Sequence, residues 1–316
     1  MYHHRIIRTM AVSLALIIAT TFGLAGCTSG EDSTKPAAQA PAAAFPVTVT
    51  DDAGREVTIE SAPERIVSLA PANTEIVYAL GLLDKLVGVT TYDDYPAEVA
   101  DIAKIGDFVT PNIEAITAAK PDLILATTGV QAAVITQLEG TGATVIAIDP
   151  QTLDALYLSI ETVGKATGTA EMASELLDGM KADIATISDA VAAEEPAMCF
   201  IEIAQDPLYT AGAKTLLDDL IRVAGGRNIV TAEGYVGYSL EQLLTDDPAV
   251  YLATLGSMSD PSDLAKRAGY DKLSAVKNDR VYVLEDNLVS RPGPRVVQGV
   301  AQIAAALHPD IKIPVE

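Results

Sequence analysis

The chain has 316 residues and carries 43 Asp and Glu against 21 Lys and Arg, for a formal net charge of −22. Its length allows two domains, and its charge excludes nucleic acid, whose phosphates such a surface repels. Two Cys and three His exclude a disulfide-built scaffold, and the absence of Trp makes each cluster of the eleven Tyr and four Phe informative.

Residues 1–27 read as a secretion signal. Arg5 and Arg8 supply the positive leader, and Met10 to Leu24 form an apolar run too short and wrongly flanked for a spanning helix. The run ends in Leu24-Ala25-Gly26-Cys27, the pattern of a bacterial lipobox, in which the Cys becomes the lipidated first residue of the mature chain. The competing readings are an ordinary signal peptide with a chance Cys, or an uncleaved anchor. Several acyl chains on Cys27 would suffice for stable anchoring at the cell membrane, facing away from the cytoplasm. Residues 28–44 hold no large apolar side chain, so they build no core and read as a tether reaching on the order of 20 Å. Loss of the leader removes His3 and His4, leaving His308 alone, so a three-His zinc site is excluded and no metal site is expected. Cys199 has no partner for a disulfide. It lies in the apolar run Met198 to Ile203 and reads as a small buried hydrophobe.

The first α/β lobe is expected over 45–165. Val47 to Ile59 reads as a hairpin around Asp52-Ala53-Gly54. Ile66–Leu69, Leu86–Val89, Leu123–Leu125 and Thr144–Ile148 are short apolar strands. Asn73 stands at a helix N-cap position ahead of Ile76, Val77 and Leu80, and a further helix runs from Ile113 to Ala119. Gly164 and Gly168 break the helical pattern that follows Leu153. Over 169–193, Met172, Leu176, Met180, Ile184, Ile187 and Val191 recur every three or four residues, predicting one helix of roughly 36 Å. The second lobe occupies 197–316. It has strands at Met198–Ile203, Val250–Ala253 and Val281–Leu284, and helices at Leu216–Val223, after Ser239 with Gln242 in capping-box position, and at Pro294–Leu307. Alternating strands and helices predict parallel sheets covered on both faces, with ligand loops beyond the strand C-termini.

Those loops hold the candidate site. Tyr92, Asp93, Asp94 and Tyr95 share one loop, Phe108 lies on another, and Gln205 to Thr210 form a third. Asp286, Asn287, Arg291 and Arg295 follow the last strand. Aromatic walls suit a large, flat, partly apolar ligand, against the alternative of a surface turn with packed Tyr. Arg291 is the better ligand candidate, and for Arg295 the alternative reading is a pair with an acidic neighbour on the last helix. Glu114 and Glu241 each fall in the first turn of a helix, a favourable placement that needs no partner.

Two segments carry a resemblance: A-P-A-N-T-E-I at Ala70 to Ile76 and Y-D-D-Y-P at Tyr92 to Pro96. From about Arg65 to His308 the chain resembles the cobalamin and iron-siderophore substrate-binding proteins of bacterial ABC importers, most of all the vitamin B12-binding members. The resemblance implies two Rossmann-like lobes joined by one rigid helix. It implies a corrinoid as ligand, no cofactor, no catalysis, and a monomer that delivers to a permease–ATPase complex. It places Tyr92 in the ligand pocket, with Phe108 and, by a looser alignment, Tyr235 where relatives have Trp. It makes Glu114 and Glu241 a pair of surface carboxylates, one per lobe, that dock onto permease arginines. On the same scaffold a ferric siderophore or haem is the alternative ligand, with Tyr92 or Tyr235 as a haem axial ligand. An α/β hydrolase is the rival from another class, and the chain lacks G-x-S-x-G, Walker A and G-x-G-x-x-G motifs.

Overall fold

The computed structural model describes residues 45–314 apart from position 257. The expected signal, Cys27 and tether lie outside the described residues. Among the described residues no helix is long and apolar enough to cross a membrane.

A two-stranded antiparallel hairpin, β1 (Val47–Thr50) and β2 (Glu56–Ile59), opens the chain. Asp51 organises its turn, accepting from the Ala53 and Arg55 amides, and Gly54 takes the left-handed backbone at φ +74°. The first lobe follows as β3 (Ile66–Ser68), α1 (Pro71–Ala79), β4 (Leu86–Gly88), α2 (Ile113–Ala119), β5 (Leu123–Ala126), α3 (Ala132–Glu139), β6 (Thr144–Ala147) and α4 (Leu153–Thr167). Its sheet is four-stranded and parallel in the order β4-β3-β5-β6. Side chains alternate across it. Ile66, Leu123, Leu125 and Ile146 face one core, while Val67, Ile124, Val145 and Ala147 face another with Ile116 and Leu138.

Two local expectations fail here. Asn73 does not cap α1: Ala70 is the N-cap and Pro71 the first helical residue, where its fixed φ and missing N–H cost nothing. Asn73 is instead buried within the helix, its Nδ2 donating to the Ala126 carbonyl at 3.5 Å. Gly164 does not break α4 either. It lies buried inside the helix, where an added Cβ would stand 2.5 Å from the Cβ of Ala173, so it permits the close approach of the next helix. Gly168 does end α4, at φ +77°.

α5 (Ala170–Val191) has 22 residues, about 33 Å of rise. Its buried stripe is Ala173, Leu177, Met180, Ile184, Ile187 and Val191. The stripe begins one residue later than expected, so Met172 is exposed and Leu176 half-buried. The helix packs on α4 of the first lobe and, in the second, on α6 (Leu216–Val223) and α10 (Val296–Leu307). One apolar cluster runs unbroken from Val49 through the α5 stripe to Leu307. The connection is therefore a packed strut rather than a free hinge.

The second lobe comprises β7 (Ala197–Gln205), β8 (Leu208–Ala211), α6, β9 (Gly226–Asn228), β10 (Tyr235–Gly237), α7 (Leu240–Asp246), β11 (Val250–Leu255), α8 (Ser274–Lys277), β12 (Val281–Glu285), α9 (Asp286–Val289) and α10. Its six-stranded sheet runs β10-β8-β7-β11-β12, with β9 also on β7. The sheet is mixed, not parallel as expected. Only Asp206 and Pro207 separate β7 from β8, and two residues allow an antiparallel return but no crossover. Cys199 is buried on β7, and burial pushes its thiol up to about 12, as befits an inert core residue.

Candidate functional site

The strand C-termini of both lobes end in loops that meet across a cleft. In the first lobe these are the turn into α1, the Thr90–Pro96 loop after β4, the Thr127–Gln131 loop after β5 and Asp149 after β6. Asp93 builds the second of them. Its Oδ2 accepts from the Thr90 amide (2.8 Å) and hydroxyl (2.5 Å). Burial raises its pKa against these hydrogen bonds, and its Oδ1 is buried without a partner. Gln131, fully buried, ties three loops together. Its Oε1 accepts from the Thr127 amide at 3.0 Å, and its Nε2 donates to the carbonyls of Leu69 and Phe108, each at 2.8 Å.

From the second lobe, the segment after β12 reaches across. Arg291 Nη1 donates to Asp94 Oδ1 at 2.6 Å and to Glu75 Oε1 at 3.4 Å, and Nη2 to the Tyr92 carbonyl at 3.5 Å. Asn287 Nδ2 donates to Asp94 Oδ2 at 3.1 Å. Arg295 forks onto Glu75, with Nε to Oε2 at 2.9 Å and Nη2 to Oε1 at 2.6 Å. Its guanidinium also lies 4.1 Å from the Tyr95 ring centroid, and Tyr95 meets Tyr78 edge-on at 5.7 Å. Burial alone would raise Asp94, but the hydrogen bond and charge of Arg291 outweigh it and hold the carboxylate below its usual range. The hydrogen bonds that Arg295 donates to the Glu75 carboxylate lead its upward shift.

The structure thus joins Tyr92, Asp94, Asn287 and Arg291, and changes what the arginines do. Arg291 is not a free donor aimed at a ligand; two carboxylates of the other lobe hold it. Arg295 pairs not with a neighbour on its own helix but with Glu75 of α1, a buried residue that sequence reasoning overlooked. The one signal for Glu75 was a charged residue within the apolar-faced A-P-A-N-T-E-I segment.

Beside this tie lies a cavity of about 740 Å³, lined by Ile203, Ala204, Gln205, Asp206, Pro207, Tyr209, Leu217, Tyr235, Met258 and Ser290. Its volume falls in the range of small-molecule and cofactor sites. Tyr209 Oη donates to the Tyr235 backbone carbonyl at 2.8 Å, tying the Tyr209 side chain to β10. Tyr235 is 42% exposed overall, yet desolvation in the cleft, with the charge of Asp149, raises its hydroxyl pKa. Tyr92 stands 58% exposed at the rim, outside the lining. Phe108, half-buried on its loop, is also absent from the lining. Asp286 belongs to a neighbouring depression with Leu255, Gly256 and Asn287, and its Oδ1 accepts from Ser290 Oγ at 2.6 Å. Tyr209, Met258 and Leu217 were missed: Tyr209 fell within a loop noted only as a span, and nothing local marks the others as wall residues.

Glu114 and Glu241 are exposed in the first turns of α2 and α7. Asn112 and Ser239 cap those helices, accepting from the Ala115 and Gln242 amides. Among the described residues neither glutamate forms a salt bridge.

Two α/β lobes, a single packed helix between them and a cleft at the strand C-termini define a bilobal binding protein. The sequence agrees: residues 66–288 match the family model described as periplasmic binding protein, and the chain belongs to that family. It is 38% identical over 305 residues to the uncharacterized ABC transporter substrate-binding lipoprotein YvrC of Bacillus subtilis, an alignment covering 94% of this chain and 96% of that one. The crystal structure of the periplasmic vitamin B12-binding protein BtuF of Vibrio cholerae superposes with a TM-score of 0.68 at 31% identity, covering 78% of this chain and 96% of that one. A periplasmic haem-binding protein of Pseudomonas aeruginosa gives a TM-score of 0.71 at 29% identity, covering 79% and 94%.

Proposed function

We propose that this protein captures cobalamin or a related corrinoid in the cleft and hands it to the permease–ATPase complex of an ABC importer. One observation carries the choice of ligand. Among the described residues the cavity lining contains no Lys or Arg, and the two cleft arginines, Arg291 and Arg295, are already bonded to Asp94 and Glu75. Haem carboxylates or an anionic siderophore complex would find no uncommitted cation. A corrin offers a broad apolar face for Tyr209, Tyr235 and Met258, and a neutral amide rim for Gln205 and Ser290. The raised pKa of Tyr235 also disfavours the phenolate that haem ligation requires. The relatives that bind vitamin B12 support this reading; the haem-binding neighbour supplies its alternative. In this account ligand binds and leaves with no covalent bond changed.

Tyr235→Ala and Tyr92→Ala should each weaken cyanocobalamin binding by about 1–3 kcal/mol, Tyr235 as a wall and Tyr92 as a rim that closes over the ring. Calorimetry on the two variants checks this, and wild-type affinity in both would exclude the cleft as the site.

On this reading the protein is anchored to the membrane through a lipidated Cys27, with residues 28–44 as its tether, and acts as a monomer. Mass spectrometry of the mature N-terminus should find an acylated Cys27, and Cys27→Ser should release the protein or leave unprocessed precursor. An unmodified Cys27 in the wild type would contradict the anchor.

A further inference from the structure

Behind the cavity wall lies a charged network that the binding role does not by itself require. Glu202, on β7, is fully buried. Its carboxylate accepts from Tyr251 Oη, Ser259 Oγ and Arg267 Nη1, each at 2.5 Å. An ion pair taken this far out of water offers little net stability over an apolar replacement, so its retention calls for another explanation. Arg267 points to one. Its second arm, Nη2, donates to Gln205 Oε1 and to the Asp260 carbonyl, both at 2.8 Å. Gln205 Oε1 also accepts from the Asp260 amide at 3.1 Å, and the Gln205 amide donates to the Met258 carbonyl at 3.0 Å. Gln205 and Met258 are cavity-lining residues, and Met258 is 60% exposed. Arg267 itself lies outside the lining, stacked 5.5 Å from the Tyr270 centroid.

We propose that Arg267 is a positioning residue, which uses the buried Glu202 as its anchor to set the Gln205 side chain in the ligand cavity. The proposal rests on the cavity being the binding site. The fork of a guanidinium is what the geometry needs: one arm neutralises Glu202 and the other holds the wall. An ammonium can do the first and not both in the same plane. Arg267 thereby fixes the Gln205 side chain with its amide nitrogen left for the ligand, since its Oε1 is occupied twice.

Arg267→Lys is the discriminating change, because it keeps a cation beside Glu202 and so spares the fold. In the full chain, it should leave the thermal midpoint within a few degrees of wild type and weaken cyanocobalamin roughly tenfold. In a Gln205→Ala background the same change should cost less than about twofold, because the residue through which Arg267 acts is gone. Equal losses in both backgrounds, or no loss in either, would overturn the proposal. Hydrogen exchange reads it without ligand. Arg267→Lys should accelerate the amides of Gln205 and Asp260 while those of β11 stay protected, and unchanged exchange at Gln205 and Asp260 would overturn it too. A wild-type chain that ignores cyanocobalamin sinks the corrinoid reading alone. The exchange experiment then still decides the role of Arg267.

Discussion

Replacing Glu75 with Ala should lower the stability of the folded chain by about 3–5 kcal/mol, more than any other single charge removal in the cleft. Glu75 is 2% exposed and receives three guanidinium hydrogen bonds, so its loss strands Arg295 and leaves Arg291 to Asp94 alone. Both arginine side chains are less than one-fifth exposed, and water cannot replace the lost carboxylate cheaply. A surface pair offers the contrast. Lys214 and Glu233 meet at 2.5 Å but are 70% and 66% exposed, so Glu233→Ala should cost at most about 1 kcal/mol. Denaturant unfolding of both variants separates the two cases. A Glu75→Ala cost near that of Glu233→Ala would mean that the lobe tie is not formed in solution. Because Glu75 belongs to the first lobe and both arginines to the second, its removal should also loosen the cleft and weaken ligand binding.

Reversing Glu114 and Glu241 together to Lys should cripple uptake while leaving ligand affinity nearly unchanged. Both carboxylates are exposed on capped helices of opposite lobes, unengaged by any salt bridge among the described residues. If each reversal costs about 1.4 kcal/mol against a permease arginine, complex formation should fall roughly hundredfold. The loss should be steepest at low salt, where such contacts act most on association. Complex formation indifferent to the double reversal would refute the docking role. The helix N-termini themselves should survive the change, since Asn112 and Ser239 supply the caps and the lost dipole interaction is worth only about 0.3–1 kcal/mol per helix.

The parts of this molecule that depend on neighbours in sequence were the ones legible beforehand. The helix Ile113–Ala119 and the helix Leu216–Val223 have the bounds their apolar spacing predicted, and the hairpin turns where Asp52-Ala53-Gly54 demanded. Boundaries failed where two local signals competed. At α1 the pre-set φ of Pro71 prevailed over the capping preference of Asn73. At Gly164 helix packing against Ala173 outweighed a poor helix propensity. The cleft was legible as a set of loops but not as a set of bonds. Arg295 and Glu75 are 220 positions apart, so no spacing rule connects them, and the sign of a charge alone left Arg291 looking free for ligand. Met258 stands in the wall because the segment after β11 meets the end of β7, where the Gln205 amide donates to its carbonyl, a juxtaposition that no local pattern announces. Phe108, chosen as an aromatic on a strand-end loop, is half-buried and does not line this cavity, whose walls all come from the second lobe.

The most direct test is a titration of one preparation of the full chain with cyanocobalamin, haem and a ferric siderophore, followed by calorimetry. A cavity without a free cation, walled by Tyr209, Tyr235 and Met258, predicts saturable one-to-one heat with cyanocobalamin and no comparable binding of haem or an anionic siderophore complex. Tight haem or siderophore binding with no corrinoid heat would contradict the account.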